Sequence, residues 1–294
     1  MKKTAVLLLL SSLFLTACSG SGSESSATGD DGESSAGALK GGTITVCASE
    51  IPHAEILNDA VKPLLEEKGY SLKVSVLDWT LQNDGVYNND YDANYFQHRP
   101  YLQQYDSGKN LDYSESYAYA KVFPVASVHF EPLRIYEGKK KAADFESCKT
   151  KATYEICNDT TNEIRALDLL VENGIIASYE KDSSGNPVNL PSNIVPIAEE
   201  LLVSSLPDYD YAVLPTNTAL TGKLTGNSAL PTESDSVKDL RANVVAANVN
   251  KYKTDETYKA KIDALTDCVL SSSVATYIQT KYSGVIAVAQ KDLR

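Results

Sequence analysis

Extended clusters of lysine and arginine, beyond the short run Lys139–Lys141, are missing from this chain of 294 residues, in which 39 acidic side chains outnumber 27 basic ones and the formal charge is −12. A general nucleic-acid binder is thereby excluded, because the counter-charge for a phosphate backbone has to be gathered in one place. A small anionic or zwitterionic ligand is not, since one buried arginine can hold a carboxylate whatever the net charge. Nucleophile motifs of the Gly-x-Ser-x-Gly kind, a P-loop and His-Glu-x-x-His are also absent. No internal repeat points to a solenoid. Methionine occurs once, at position 1, tryptophan once, at position 79, and histidine three times. What remains, 43% apolar and 22% charged, is an ordinary globular balance with enough length for one large or two ordinary domains.

The first residues carry a different signal. Lys2 and Lys3 precede an apolar run from Ala5 to Leu15, which is too short for a bilayer core of roughly 30 Å. A basic start and a small-residue end belong to a cleaved export sequence, expected here over residues 1–17. Leu15-Thr16-Ala17-Cys18 resembles the bacterial lipobox, which implies lipidation of Cys18 as the first residue of the mature protein. The alternative is a cysteine that merely lies near an ordinary cleavage site. Residues 18–42 are almost wholly Ser, Gly, Ala, Asp and Glu, a composition that cannot offset the entropy of ordering and reads as a flexible tether.

Four further cysteines, Cys47, Cys148, Cys157 and Cys268, would stand in a compartment that permits disulfides. Cys148 and Cys157 should not pair, because the strand read between them separates its ends by roughly 30 Å. They read as small buried residues, with a long-range bridge left open.

Thr43 to Ala48 alternates as a strand. Leu57, Ala60, Val61, Leu64 and Leu65 recur at helical spacing before Gly69, and Leu72 to Val76 alternates again. Strand, helix and strand of this length make a βαβ unit in a parallel sheet. The second half repeats the pattern, with a strand at 153–156, a helix at 161–173, strands at 209–214 and 243–249, and two closing helices. Phe123 to Tyr136 is a β-rich run able to cross between sheets. The expected architecture is α/β, with two lobes joined by crossover strands and a ligand cleft formed by the loops that follow strands.

Three constellations could carry chemistry. Asp92 to Tyr101 sets the rings of Tyr95, Phe96 and Tyr101 beside amides and His98, either as a ligand wall or as a strand end packing its aromatics into the core. Trp79, just after a strand, is placed at the same rim or in the core. In Asn158 to Arg165, Thr160 and Glu163 have capping-box spacing, so Thr160 reads as the helix cap. Arg165 then lies either on a solvated face or where helix dipole and guanidinium converge on a carboxylate. Cys47 with His98 as a thiol and base, or His53, His98 and His129 as metal ligands, are weaker patterns without a third orienting group or an acidic flank.

Several segments together resemble a known family. Pro52-His53-Ala54-Glu55-Ile56-Leu57, Val61-Lys62-Pro63, the stretch 92–101, Val128 to Leu133, Asn158 to Asn162 with Arg165 to Leu167, and the tail from Tyr282 to Ala287 are similar to the methionine-binding lipoproteins of ABC importers, the NlpA/MetQ group. The resemblance implies a periplasmic-binding-protein fold, with one lobe from residues 43–130 and 245–294 and the other from 131–244. It implies a monomer that needs no cofactor, performs no chemistry, touches no nucleic acid, is held to the membrane by its lipid, and delivers an amino acid to a permease and its ATPase. Carried over, Trp79, Phe96 and Tyr101 would face the ligand side chain, His98 would hydrogen-bond it, Arg165 would hold its carboxylate, and Asn243 would fix the amino acid group. The chain departs from the family at Pro215, where an amide is usual and Asn217 is the nearby substitute, and at Glu163 and Arg134, where small residues are common. These departures leave room for another amino acid, a dipeptide or an anion.

Overall fold

The computed structural model describes residues 41–107, 120–140, 144–224, 226 and 230–294. The leader, Cys18 and nearly all of the tether lie outside these residues. Two sheets organise the rest. The larger has six strands in the order β12-β4-β11-β3-β1-β2, where β1 is Gly42–Ala48, β2 Tyr70–Val76, β3 Ala93–His98, β4 Val122–Phe130, β11 Ala242–Asn248 and β12 Ala287–Asp292. The smaller has the order β5-β10-β6-β9, from β5 Arg134–Glu137, β6 Tyr154–Cys157, β9 Ile194–Ile197 and β10 Tyr211–Leu214. A separate hairpin pairs β7 Glu180–Lys181 with β8 Pro187–Val188.

The expected βαβ unit is present, with β1 and β2 parallel along their whole lengths. The intervening helical run is not one regular helix. Glu50–Ala54 and Leu57–Val61 wind at the wider π spacing before the α-helix Lys62–Glu67, and Leu57, Val61 and Leu65 are buried in the main core. Gly69 ends the run at φ +84°, a conformation that a side chain would strain.

The crossing between sheets falls where the β-rich run was read. β4 is buried along its entire length in the larger sheet, and β5 begins the smaller one four residues later. The chain returns at β11, which joins the larger sheet from Ala242, three residues before the expected lobe boundary. β12 follows the last helix where no strand was read, because the sequence Ala-Val-Ala-Gln-Lys-Asp at an edge carries little hydrophobic pattern.

Two local expectations are corrected. Asp159, not Thr160, caps the helix Thr160–Glu172, its carboxylate accepting the N–H of Asn162 at 3.1 Å. A carboxylate at the positive end of a helix outcompetes a neighbouring hydroxyl for the free amides. Cys47, Cys148, Cys157 and Cys268 are all free thiols, and Cys148 is only half-buried.

Candidate functional site

Four helices start immediately beyond strand ends and aim the predicted residues at one place. After β2, Asp78 caps the helix Trp79–Tyr87 with its side chain on the N–H of Thr80, which sets Trp79 at the first helical position. After β3, His98 Nδ1 accepts the N–H of Tyr101 at 3.2 Å and so turns the chain into the helix Arg99–Ser107. After β6, the cap on Asp159 starts the helix that carries Arg165. After β10, Pro215 leads into the helix Thr216–Thr221, which bears Asn217. Asn243 comes from β11, in register with His98 of β3 on one side and His129 of β4 on the other.

Trp79, Phe96, His98, Tyr101, Arg165, Asn217 and Asn243 all line one cavity between the two sheets. Its inner part is small, about 40 Å³. An outer vestibule of about 410 Å³ shares Trp79, Phe96, Glu199 and Asn217 with it and adds Glu50, Asp78 and Glu200. One wall is aromatic, with Tyr101 at its centre. The Tyr101 ring stacks on Trp79 at 5.2 Å between centroids, with 17° between planes, and meets Phe96 edge-on at 5.8 Å and 79°. Phe96, 6% exposed, lines the cavity, while Tyr95, next in line, is sealed in the core against His53 and His129.

The opposite wall is charged. The Arg165 guanidinium, 4% exposed, donates from Nε to Glu233 Oε1 at 2.6 Å, and from Nη2 to Glu233 Oε2 and to the carbonyl of Glu131, the last at 2.7 Å. Glu199 also lines the cavity, held by the Thr218 hydroxyl, and burial pushes its carboxyl above the usual range.

His98 has both ring nitrogens engaged, since Nε2 is 2.9 Å from Asn162 Oδ1 and Nδ1 holds Tyr101. Burial, with Arg165 and Arg241 nearby, depresses its basicity well below the ordinary value, so it is the neutral Nε2–H tautomer that donates to Asn162. The cysteine that might have paired with it does not. The Cys47 thiol faces the carbonyls of Gln82 and Ala93, and burial raises it to about 12.

The three histidines also fail to assemble as a trio. His53 and His129 meet Glu131 instead, with ligating atoms within 4.8 Å of one another, and His98 is not in the group. The cluster is knit by hydrogen bonds: His129 Nε2 to Glu131 Oε1 at 2.7 Å, the Tyr95 hydroxyl to His129 Nδ1, and His53 Nε2 to Asn243 Oδ1 at 3.2 Å. Burial lowers His53 to about 4 and His129 to about 3, and raises Glu131. Each group is driven toward neutrality, as sealed polar groups are.

Of the departures, Pro215 lines the cavity without an amide to offer, and Asn217 lies beside it. Arg134 turns away, its Nη2 donating to the carbonyl of Gly284 at 2.9 Å. Glu163 is half-buried and does not line the cavity. Gln97, Glu131, Asn162 and Glu199 line it without having been assigned to it. The first three lie inside segments that carried the resemblance, and Gln97 stands between Phe96 and His98. Glu199 and Glu233 sit in stretches with no pattern that points to a site.

A family model described as NlpA lipoprotein matches residues 44–289. The chain belongs to the NlpA lipoprotein family. Among relatives of this NlpA lipoprotein, the methionine-binding lipoprotein MetQ of Bacillus subtilis is 33% identical over 256 residues, covering 83% of this chain and 86% of that protein. A solved lipoprotein from Ruminococcus gnavus superposes with a TM-score of 0.69 at 30% identity, over 84% of this chain and 99% of that one. The substrate-binding protein of a methionine transporter from Streptococcus pneumoniae, at 22% identity, shares the fold with a TM-score of 0.69, over 84% and 95%. The two-sheet α/β body of this NlpA lipoprotein is thus of the periplasmic-binding-protein type. The family is one of solute-binding proteins, not a class of enzymes.

Proposed function

We propose that the protein is the substrate-binding lipoprotein of an ABC importer, tethered through Cys18 on the outer side of the cell membrane. It captures a free amino acid, methionine first, between two lobes built on the two sheets, and hands it to a permease. Residues 43–130 with the chain from Ala242 onward form one lobe, and the residues between form the other. The observation that carries this reading is that seven residues, from five separate stretches of chain, line a single cavity.

The aromatic wall receives the side chain. A thioether beside a ring gains about 0.3–1.5 kcal/mol. Arg165 receives the carboxylate, Asn217 and Asn243 the amino acid group, and His98 serves by holding Tyr101 and Asn162 in place. The inner cavity is small, so entry requires the lobes to part and capture is their closure. Bacillus subtilis MetQ, whose name records methionine binding, supports the choice of ligand.

Mass spectrometry of the small molecule retained through mild purification, with calorimetry of the stripped protein, tests the proposal. The expected outcome is an unmodified amino acid, one-to-one binding of methionine, and a melting temperature that rises with ligand. A melting temperature that falls with a chelator and ignores every amino acid defeats it. The acidic vestibule favours one variant of this reading, a dipeptide whose second residue extends past Trp79, and the same titration with methionine-containing dipeptides decides between them.

A further inference from the structure

Arg165 has five N–H groups, and the structure allots three of them. Nε–H and one hydrogen of Nη2 go to the two oxygens of Glu233, and the second hydrogen of Nη2 goes to the Glu131 carbonyl. Nη1 makes no hydrogen bond among the described residues. The edge of a guanidinium best suited to a side-on, two-point grip on a carboxylate is therefore already filled by a carboxylate of the protein itself.

That carboxylate is anchored. Glu233 Oε2 also accepts the N–H of Leu133 at 2.8 Å, and the Glu233 N–H donates to the Leu133 carbonyl at 2.9 Å. Its segment runs along the start of β5, where Ile135 N–H donates to Pro231 and Thr232 bridges Arg134. The Glu233 side chain is 8% exposed. Displacing it would orphan buried donors on both Arg165 and Leu133, which is costly.

We propose that Glu233 is a positioning residue and charge filter: it holds Arg165 so that a ligand carboxylate meets only the Nη1 end, and it cancels the arginine's charge so that the cavity accepts a zwitterion and rejects an anion. This rests on the amino-acid-binding reading above and deepens it. With the Arg165–Glu233 pair neutral, Glu131 and Glu199 make the rest of the lining acidic or protonated. A ligand has to bring its own positive group. Dicarboxylates and carboxylic acids without an ammonium are the class excluded, and the anion that the sequence left open is thereby closed off.

The test is calorimetry on the full chain with methionine and with 4-(methylthio)butanoic acid, the same molecule lacking the ammonium, for wild type, Glu233→Gln and Glu233→Asp. Wild type is expected to prefer methionine by about 100-fold or more. Glu233→Gln should weaken methionine about tenfold and strengthen the acid, so the preference collapses, whereas Glu233→Asp keeps the charge and so keeps the preference while weakening both ligands. A merely structural role lowers both affinities together and leaves the ratio alone. Equal affinities in wild type overturn the filter without recourse to any variant. Tighter methionine binding by Glu233→Gln overturns it too, since Glu233 would then be a competitor for Arg165. A wild type that binds no free amino acid defeats the functional reading itself, while wild-type binding with an unchanged ratio in Glu233→Gln defeats the inference alone.

Discussion

The two walls of the cavity differ in how they are built. The aromatic wall comes from 23 consecutive residues, Trp79 to Tyr101, at the ends of β2 and β3, which flank β1 in the sheet, and its rings touch one another. The charged wall is gathered from Glu131, Asn162, Arg165, Glu199, Asn217 and, behind them, Glu233, and its members are held by hydrogen bonds to partners up to 100 residues away. The first wall is non-directional and tolerant, because dispersion and burial depend on area. The second is directional and brittle, because each buried charge needs its particular partner. In the proposed function, the ligand's side chain falls to the tolerant wall and its charged end to the brittle one.

Acid should break the aromatic side first, with the largest effect. His98 stands at the end of β3, and His53 and His129 pack against Tyr95 of the same strand, with folded values of about 4 and about 3, below the ordinary 6.5. A folded value below the unfolded one means that the unfolded chain takes up protons which the native state refuses. Stability is then complete above about pH 6.5 and is lost as the pH falls toward 4. Each of these two histidines should remove about 2 kcal/mol between pH 7 and pH 5, about 4 kcal/mol together. His98 acts in the same direction, and Glu131, raised by burial, opposes it. Chemical denaturation across this range checks the slope, and a stability that is flat or rises toward pH 5 contradicts the buried neutral cluster.

Arg165→Ala should break the charged wall. Removing one partner of a buried pair leaves Glu233 uncompensated and costs about 3 kcal/mol or more in stability. Methionine binding should disappear from calorimetry in the same variant. Unchanged affinity would remove Arg165 from the site. Glu233→Gln, in contrast, should change which ligand is preferred more than whether one is bound.

Phe96→Ala should have the smallest effect and sharpens the contrast between the walls. Loss of the ring is expected to cost about 2 kcal/mol of methionine affinity, with little change for alanine, which does not reach it. Equal losses for both amino acids would show that Phe96 supports the fold instead of facing the side chain. Trp79, the sole tryptophan, makes the titration readable by its own fluorescence.

Much of the fold is legible in the sequence. Strand and helix periodicities located β1, β2, β6, β10 and β11 within a few residues, because alternation and 3.6-residue spacing are local consequences of burying one face. The aromatic cluster of Tyr95, Phe96 and Tyr101 was legible as neighbouring residues, but not which of its rings would face a cavity and which the core. Harder to see were the π-wound run after β1, the edge strand β12, and Asp159 as the cap in place of Thr160. Each depends on competition between neighbours that propensity ranks almost equally. The histidine pattern suggested a trio with His98, but the strand register set His98 at the cavity and gave His53 and His129 to Glu131.

The sequence alone determined the α/β class, the β-rich run able to cross between two sheets, and the presence of an arginine and an aromatic cluster close to strand ends, since these follow from local pattern and strand polarity. Only the tertiary structure decided that Arg165 is already gripped by Glu233, that His98 is saturated by Asn162 and Tyr101, and that Arg134 reaches Gly284 and not the cavity. The physical reason is sequence distance. A hydrogen bond between residues 68, 64 or 150 positions apart leaves no trace in periodicity, because it is set by how whole strands stack and not by what stands next in the chain.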